Sequence, residues 1–200
     1  MKHLVKTLAL GLTFLAPQIA SASTWSVDPD HSSVGFTVKH LMVSNVRGNF
    51  VKFDGKVDLD DKDVRSSTVS ATVDVSSINT NVQKRDEHLK SPDFFDVAKY
   101  PTMTFVSKKW TKGPKGELKI AGDLTIHGVT RSIVLNTKPF SKESKDPWGN
   151  IRRATSASTK IRRQDFGLTW NKSLDSGGVL IGDDVDIDLE IELVKSPDSK

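Results

Sequence analysis

The chain has 200 residues, with 29 Lys and Arg against 25 Asp and Glu, 36% hydrophobic side chains and no cysteine. That length suits one domain with a sizeable core, and the lack of cysteine excludes disulfide staples and an anchor acylated on cysteine. A formal charge of +4 is too small to argue for nucleic-acid binding.

The first 22 residues read as a cleaved export signal. Lys2 and Lys6 form a basic n-region, Thr7 to Ile19 an apolar h-region, and Ala20-Ser21-Ala22 a small-residue cleavage site. The apolar run is too short to span a bilayer and contains Pro17, so no stable membrane anchor is expected. Cleavage leaves a mature domain over 23–200, with 27 basic side chains (29 less Lys2 and Lys6) against 25 acidic.

The mature chain then alternates apolar and polar residues with the period of half-buried strands. Val34, Phe36, Val38 and His40 give the first strand, and Val51, Phe53, Gly55, Val57 and Leu59 the second. Val69, Ala71, Val73 and Val75 repeat the pattern. Thr80 to Val97 breaks it. Thr80 and Gln83 match a helix capping box, and Ser91-Pro92 offers a second helix start with proline at its first position. The first helix has only Val82 and Leu89 to bury, so it must rest on other elements. Such a connection in a compact domain reads as a lid or plug.

Strands resume at Met103, Phe105 and Ser107, then at Leu118, Ile120, Gly122, Leu124 and Ile126. Gly128 is placed for a turn into Arg131, Ile133 and Leu135. Ala157, Thr159 and Ile161 give a weaker strand, and Val185, Ile187, Leu189, Ile191 and Leu193 the last, with acids between them. The longer loops are Ser141 to Asn150, with Trp148, and Asn171 to Gly182. About eight strands of this kind predict an all-β antiparallel barrel or sandwich. Small inward residues (Gly55, Ala71, Gly122, Ala157) fit a taper in a solid core and an apolar cavity equally well, since about eight strands is the size at which a barrel can hold one small ligand.

Four stretches together resemble the YceI-like family of bacterial lipid-binding proteins: Asp28 to Gly48, Asp86 to Pro101, Gly122 to Arg131, and Gln164-Asp165-Phe166-Gly167-Leu168. The resemblance implies an extended, lipocalin-like antiparallel barrel, exported to the periplasm. Its apolar tunnel would hold a polyisoprenoid, an isoprenoid quinone or another long-chain lipid, with no cofactor. Phe36, Val38, Leu41, Met42, Phe94, Phe95 and Phe105 are then the expected tunnel wall, and a solid barrel core would use the same residue types. Arg85 and His88 are the polar candidates at the mouth, against a reading as a solvated helix face.

Other charged residues read blandly. Arg47, Arg131 and Asp165 lie within the motifs and serve strand ends or ligand equally well, and Arg162-Arg163 reads as a basic pair on an exposed strand end. His31, His40, His88 and His127 lack local metal-ligand spacing and read as turn or hydrogen-bonding histidines. The function expected is a carrier for a long-chain isoprenoid or related lipid, without catalysis. A non-carrier barrel that is stress-related or binds a partner is the alternative. A lipid-ester hydrolase is a third reading, though no Gly-x-Ser-x-Gly elbow is present. The sequence leaves the oligomeric state open.

Overall fold

The computed structural model describes residues 22–175 and 177–197. The expected signal at 1–22 therefore lies outside the described residues except for Ala22. In chain order the strands are β1 (Ser23–Val27), β2 (Ser33–His40), β3 (Ser44–Phe50), β4 (Phe53–Leu59), β5 (Thr68–Asp74) and β6 (Ile78–Asn79). The one α-helix among the described residues, α1 (Gln83–Lys90), precedes β7 (Thr102–Lys112), β8 (Leu118–Ile126), β9 (Val129–Thr137), β10 (Ser144–Lys145), β11 (Ile151–Arg162) and β12 (Ile181–Lys195).

All pairings are antiparallel, and eight strands close into a ring in the order β1, β4, β5, β7, β8, β9, β11, β12. The expected all-β barrel is present. Its seam is β12, which pairs along one edge with β11 from Arg162↔Asp184 to Arg152↔Val194. The other edge is shared: β1 takes its C-terminal end (Val27↔Leu193) and β2 takes the region from Ser33↔Glu190 to Ile181↔His40. β1 and β2 thus form one run with a step at Asp28, where Asp28 N–H donates to Glu192 O and Glu192 N–H to Ser32 Oγ. β3 and β4 form the returning run, so the β2–β3 hairpin lengthens the wall beyond the ring. The upper end of the barrel then carries the 41–43 hairpin tip, the insertion holding α1, the β8–β9 turn and the 163–180 loop.

Besides the two-residue β6 and β10, two strands were not legible as strands. β1 has a single large apolar residue, Trp25, and β3 carries Gly48 where the alternation calls for a side chain. The ring of Phe36, directly opposite in register, fills that space: a Cβ on Gly48 would sit 2.4 Å from its Cζ. Val51 and Val75 fall just outside the strands expected to hold them. The β8–β9 turn is as expected, with His127 and Gly128 both at positive φ. Glycine is needed there twice over, because a Cβ would also meet Tyr100 at 2.5 Å.

The insertion differs from expectation at both of its helix starts. Val82, not Thr80, is the N-cap of α1, and it makes no side-chain cap bond. Thr80 instead receives Asp86: the Asp86 carboxylate accepts from Thr80 N–H and Oγ1. One carboxylate that satisfies both donors of the buried Thr80 outcompetes the capping box. Residues after Ser91-Pro92 form turns rather than a second helix, with Phe94 N–H and Asp96 N–H both donating to Ser91 O.

The lower end is closed by packing. Trp25, fully buried, lies with Leu59, Leu193, Leu118 and Trp110, while the Arg153 guanidinium sits 5.8 Å over Trp25 and 5.4 Å over Phe140. On the outer wall, Arg152 ties together three segments by donating to Asp28, Asp146 and Glu192. The Arg152 hydrogen bond, helped by His31, draws the Asp28 carboxyl down to about 2 and holds Asp146 well below the usual carboxylate range. A depressed folded-state pKa gives stability that is present above the unfolded value and lost as pH falls towards the folded one. The stability advantage of the parent over Arg152→Gln should therefore be full at pH 6 and shrink between about pH 4 and pH 2. Thermal melts of both proteins across that range check this; a constant gap would contradict it.

Candidate functional site

The last strand decides whether the barrel is hollow. From Val185 to Ile191, β12 presents exposed acids outward and Val185, Ile187, Leu189 and Ile191 inward, yet these four are only half-buried. Val34, Phe36 and Val38 on β2 are likewise inward and half-buried. Inward apolar residues in a close-packed core would be sealed. Here they border a cavity of about 430 Å³ lined almost wholly by hydrocarbon, within the roughly 300–1,000 Å³ range of small-molecule sites.

The cavity follows the barrel axis. Its lower lining includes Trp110, Thr137 and Phe140, and its upper lining Lys39, His40, Arg85, His88, Trp170 and Leu180. Lys39 is exposed and the His88 side chain is 41% exposed, so the cavity meets the surface at this upper end. Phe105 lies in the wall against Gly122, where a Cβ would come within 2.6 Å of its ring. The small residue lets a large ring lie flat on the sheet, leaving the axis open.

The insertion forms the upper cover. Phe94, 5% exposed, packs with His88 and Trp170, the three rings lying 4.9–5.2 Å apart by centroid. Phe95 points elsewhere, meeting Phe50 edge-on at 6.0 Å. His88 Nε2 is held 2.8 Å from Asp93 Oδ2. Arg85 donates Nε to Thr80 Oγ1 and Nη2 to Thr80 O, which fixes its guanidinium at the rim.

Of the residues expected at the site, Phe36, Val38, Phe94, Phe95, Phe105, Arg85 and His88 all border the cavity. Leu41 and Met42 do not. They form the β2–β3 turn and are 39% and 53% exposed. The alternation that makes Phe36 and Val38 inward simply ends at His40, and two apolar residues in a turn carry no periodic signal.

Sequence reasoning missed Trp170 and misplaced Arg163. Arg163 is not on an exposed strand end: it is 4% exposed and borders the cavity. It donates to the carbonyls of Gly182, Leu168 and Trp170 and to Asp183 Oδ1. Burial pulls its guanidinium below the ordinary value, opposed by Asp183. Its partner carbonyls lie up to 19 residues away, so only the folded loop reveals the role. Arg162, its neighbour, is exposed as expected.

Arg131 donates to Thr130 O, and His127 packs 4.5 Å from Tyr100. Among the described residues, Asp28, His31 and Glu192 are grouped closely enough to ligate a metal, but the Arg152 guanidinium already bonds both carboxylates.

Trp110 Nε1 and Thr137 Oγ1 are buried without a hydrogen-bond partner among the described residues. An unsatisfied buried hydroxyl destabilises, and replacing it with a methyl of the same shape removes that penalty. Thr137→Val should therefore raise stability by about 1 kcal/mol in urea titrations; a loss of similar size would show that the hydroxyl is in fact satisfied.

Comparison with known proteins agrees with this geometry. The YceI-like domain matches residues 25–193, nearly the whole described barrel. The chain belongs to the YceI-like family. A UPF0312 protein of Vibrio cholerae is 36% identical over 170 residues, covering 84% of this chain and 89% of the relative. The crystal structure of the Campylobacter jejuni YCEI protein is 30% identical and superposes with a TM-score of 0.67 over 96% of this chain and 99% of that one. A polyisoprenoid-binding domain from Saccharophagus degradans shares 17% identity and a TM-score of 0.64, covering 86% of this chain and 98% of that one. In this YceI-like barrel the matched region includes every cavity-lining element, from β1 to Leu193.

Proposed function

We propose that this protein binds a long-chain isoprenoid, or a lipid of like shape, in its barrel and carries it through the periplasm without catalysis. The observation that carries this is the row of half-buried inward hydrocarbon on β12 and β2 around an axial cavity. An elongated apolar channel suits a linear hydrocarbon tail. Burying a methylene gains about 0.8 kcal/mol, so a five-carbon isoprene unit gains roughly 4 gross, against about 1 net for a neutral head-group hydrogen bond. Tail length then sets affinity, and Arg85 and His88 at the upper rim orient the head group. A polyprenyl chain and an isoprenoid quinone share that tail and differ only at this rim.

Family membership supports the reading, and the polyisoprenoid-binding domain shows that the same fold serves such a ligand in another protein. The n-region, h-region and cleavage site of residues 1–22 support export. An oily tail cannot cross an aqueous compartment unshielded, which gives such a carrier its use. A lipid-ester hydrolase needs a nucleophile beside the bound lipid; among the described residues no serine borders the cavity, although Thr104, Thr137 and Thr155 do.

The test is gentle purification from the periplasm, followed by N-terminal sequencing, lipid extraction and mass spectrometry. The expected result is a chain beginning at Ser23 with about one isoprenoid-type lipid per protein. No extracted lipid and no uptake of added polyprenyl compounds would leave the non-carrier reading standing. Ester turnover lost on changing one serine would favour the hydrolase.

A further inference from the structure

The β2–β3 turn is built against the usual chemistry of turns. Leu41 and Met42 have φ of 52° and 62°, and Val43 N–H donates to His40 O across them. Two central residues at positive φ define the type I′ turn that strongly prefers Asn-Gly. Side chains with a Cβ are strained there. The next residue is apolar too, and Leu41, Met42 and Val43 are 39%, 53% and 80% exposed. Three consecutive solvent-facing apolar side chains at the end of a projecting hairpin form a surface that is neither core nor cavity wall.

Their position is specific. Leu41 N–H donates to Leu180 O, and Met42 Cγ lies 3.4 Å from where a Cβ on Gly178 would be. His40 and Leu180, the residues adjoining this contact, border the cavity. The apolar tip therefore stands beside the upper opening of the cavity without lining it. The flanking charge leans basic. Residues 39–47 contain Lys39 and Arg47 and no acid, and the 168–182 loop contributes Lys172 and one acid, Asp175. Just beyond the loop, Asp183 is held by Arg163 and Asp184 is an exposed acid. Lys39, Arg47 and Lys172 are exposed, and none is ion-paired among the described residues.

We infer that the 41–43 tip docks the barrel mouth onto an anionic lipid bilayer, with the Met42 and Val43 side chains entering the interfacial zone and the flanking cations meeting lipid phosphates. Three side chains are too few for a stable protein–protein interface, which buries about 800 Å² per partner. A bilayer asks less, since a small buried apolar area together with basic residues suffices for reversible attachment. The surface gains its purpose from the lipid-carrier reading, but its binding to membrane is measured separately.

The experiment uses the mature chain with large unilamellar vesicles of phosphatidylcholine alone and of phosphatidylcholine with phosphatidylglycerol, read by flotation. The variant is Leu41→Asn, Met42→Gly and Val43→Thr, which gives the turn the residues its backbone favours. The parent should float with the anionic vesicles at low salt, and several-fold less at about 0.5 M salt, where charges are screened. The variant should lose roughly tenfold or more of that binding while melting at a higher temperature, so that the loss is not unfolding. Its uptake of a fluorescent polyprenyl probe from detergent solution should equal the parent's, while extraction from vesicles slows. Undiminished vesicle binding by the variant, or none by the parent, overturns the inference. A parent dimer that the variant converts to monomer in sedimentation velocity also overturns it, by assigning the tip to a second copy. If neither protein takes up the probe but tip-dependent flotation persists, the docking surface stands and the cavity reading fails.

Discussion

Arg163→Met should cost about 3–5 kcal/mol of stability, the largest single loss expected outside the barrel core. The guanidinium is a tertiary connector, not a surface charge. Its Nε reaches Gly182 O at the start of β12, Nη1 reaches Leu168 O and Trp170 O, and Nη2 reaches Asp183. Methionine matches the stem but offers no donor, so buried carbonyls are left unpaired at about 1–3 kcal/mol each. Arg163→Lys should recover only part of the loss, because an ammonium cannot span carbonyls that a planar fork reaches together. Equilibrium urea unfolding of the three proteins is the measurement, and a loss below about 1 kcal/mol for the methionine variant would show that water satisfies those carbonyls. The effect should also be visible at the cavity mouth. Trp170, whose carbonyl Arg163 holds, packs against His88 and Phe94, so its fluorescence should shift in Arg163→Met at denaturant concentrations where the barrel remains folded.

The contrast between Arg163 and β12 shows what the sequence can carry. β12 was readable because each residue declares its own face: Val185 to Leu193 alternates with acids, and the period alone sets the register side. The β8–β9 hairpin was readable because His127-Gly128 supplies the positive φ that the turn needs. Arg163 was not, because its burial depends on carbonyls from a loop that no local pattern ties to it. β3 was obscured for a related reason. Its inward position at Gly48 is filled by the ring of Phe36 from the next strand, so a glycine stands where the pattern expects hydrocarbon. The site was legible in part. Phe94, Phe95, Arg85 and His88 follow from an insertion that must cover something, whereas Leu41 and Met42 were assigned inward on residue type alone. Hollow and solid barrels draw on the same residues; only the half-burial of Val185, Ile187, Leu189 and Ile191 separates them.

That separation can be tested by filling the space. Ala157 on β11 lies between Thr137 and Leu189 in register and borders the cavity. In a solid core, Ala157→Phe would overpack and lose about 1–3 kcal/mol. In a hollow barrel the ring enters open space and recovers apolar contact, so the expected melting temperature is within a few degrees of the parent. Lipid uptake should fall sharply, because displacing one isoprene unit forfeits roughly 4 kcal/mol of burial, which is on the order of a thousandfold in affinity. Arg85→Ala provides the counterpart. Two of its five donors are committed to Thr80, and a head-group bond from the remaining ones nets only about 1 kcal/mol, so the loss should stay below about tenfold. Fluorescent polyprenyl titrations of the two variants, with melts alongside, compare the tail and head contributions directly. Equal losses would place the binding energy at the rim. A destabilised Ala157→Phe with unchanged uptake would mean that the axis at this level is already filled by side chains and that the lipid, if bound, lies elsewhere.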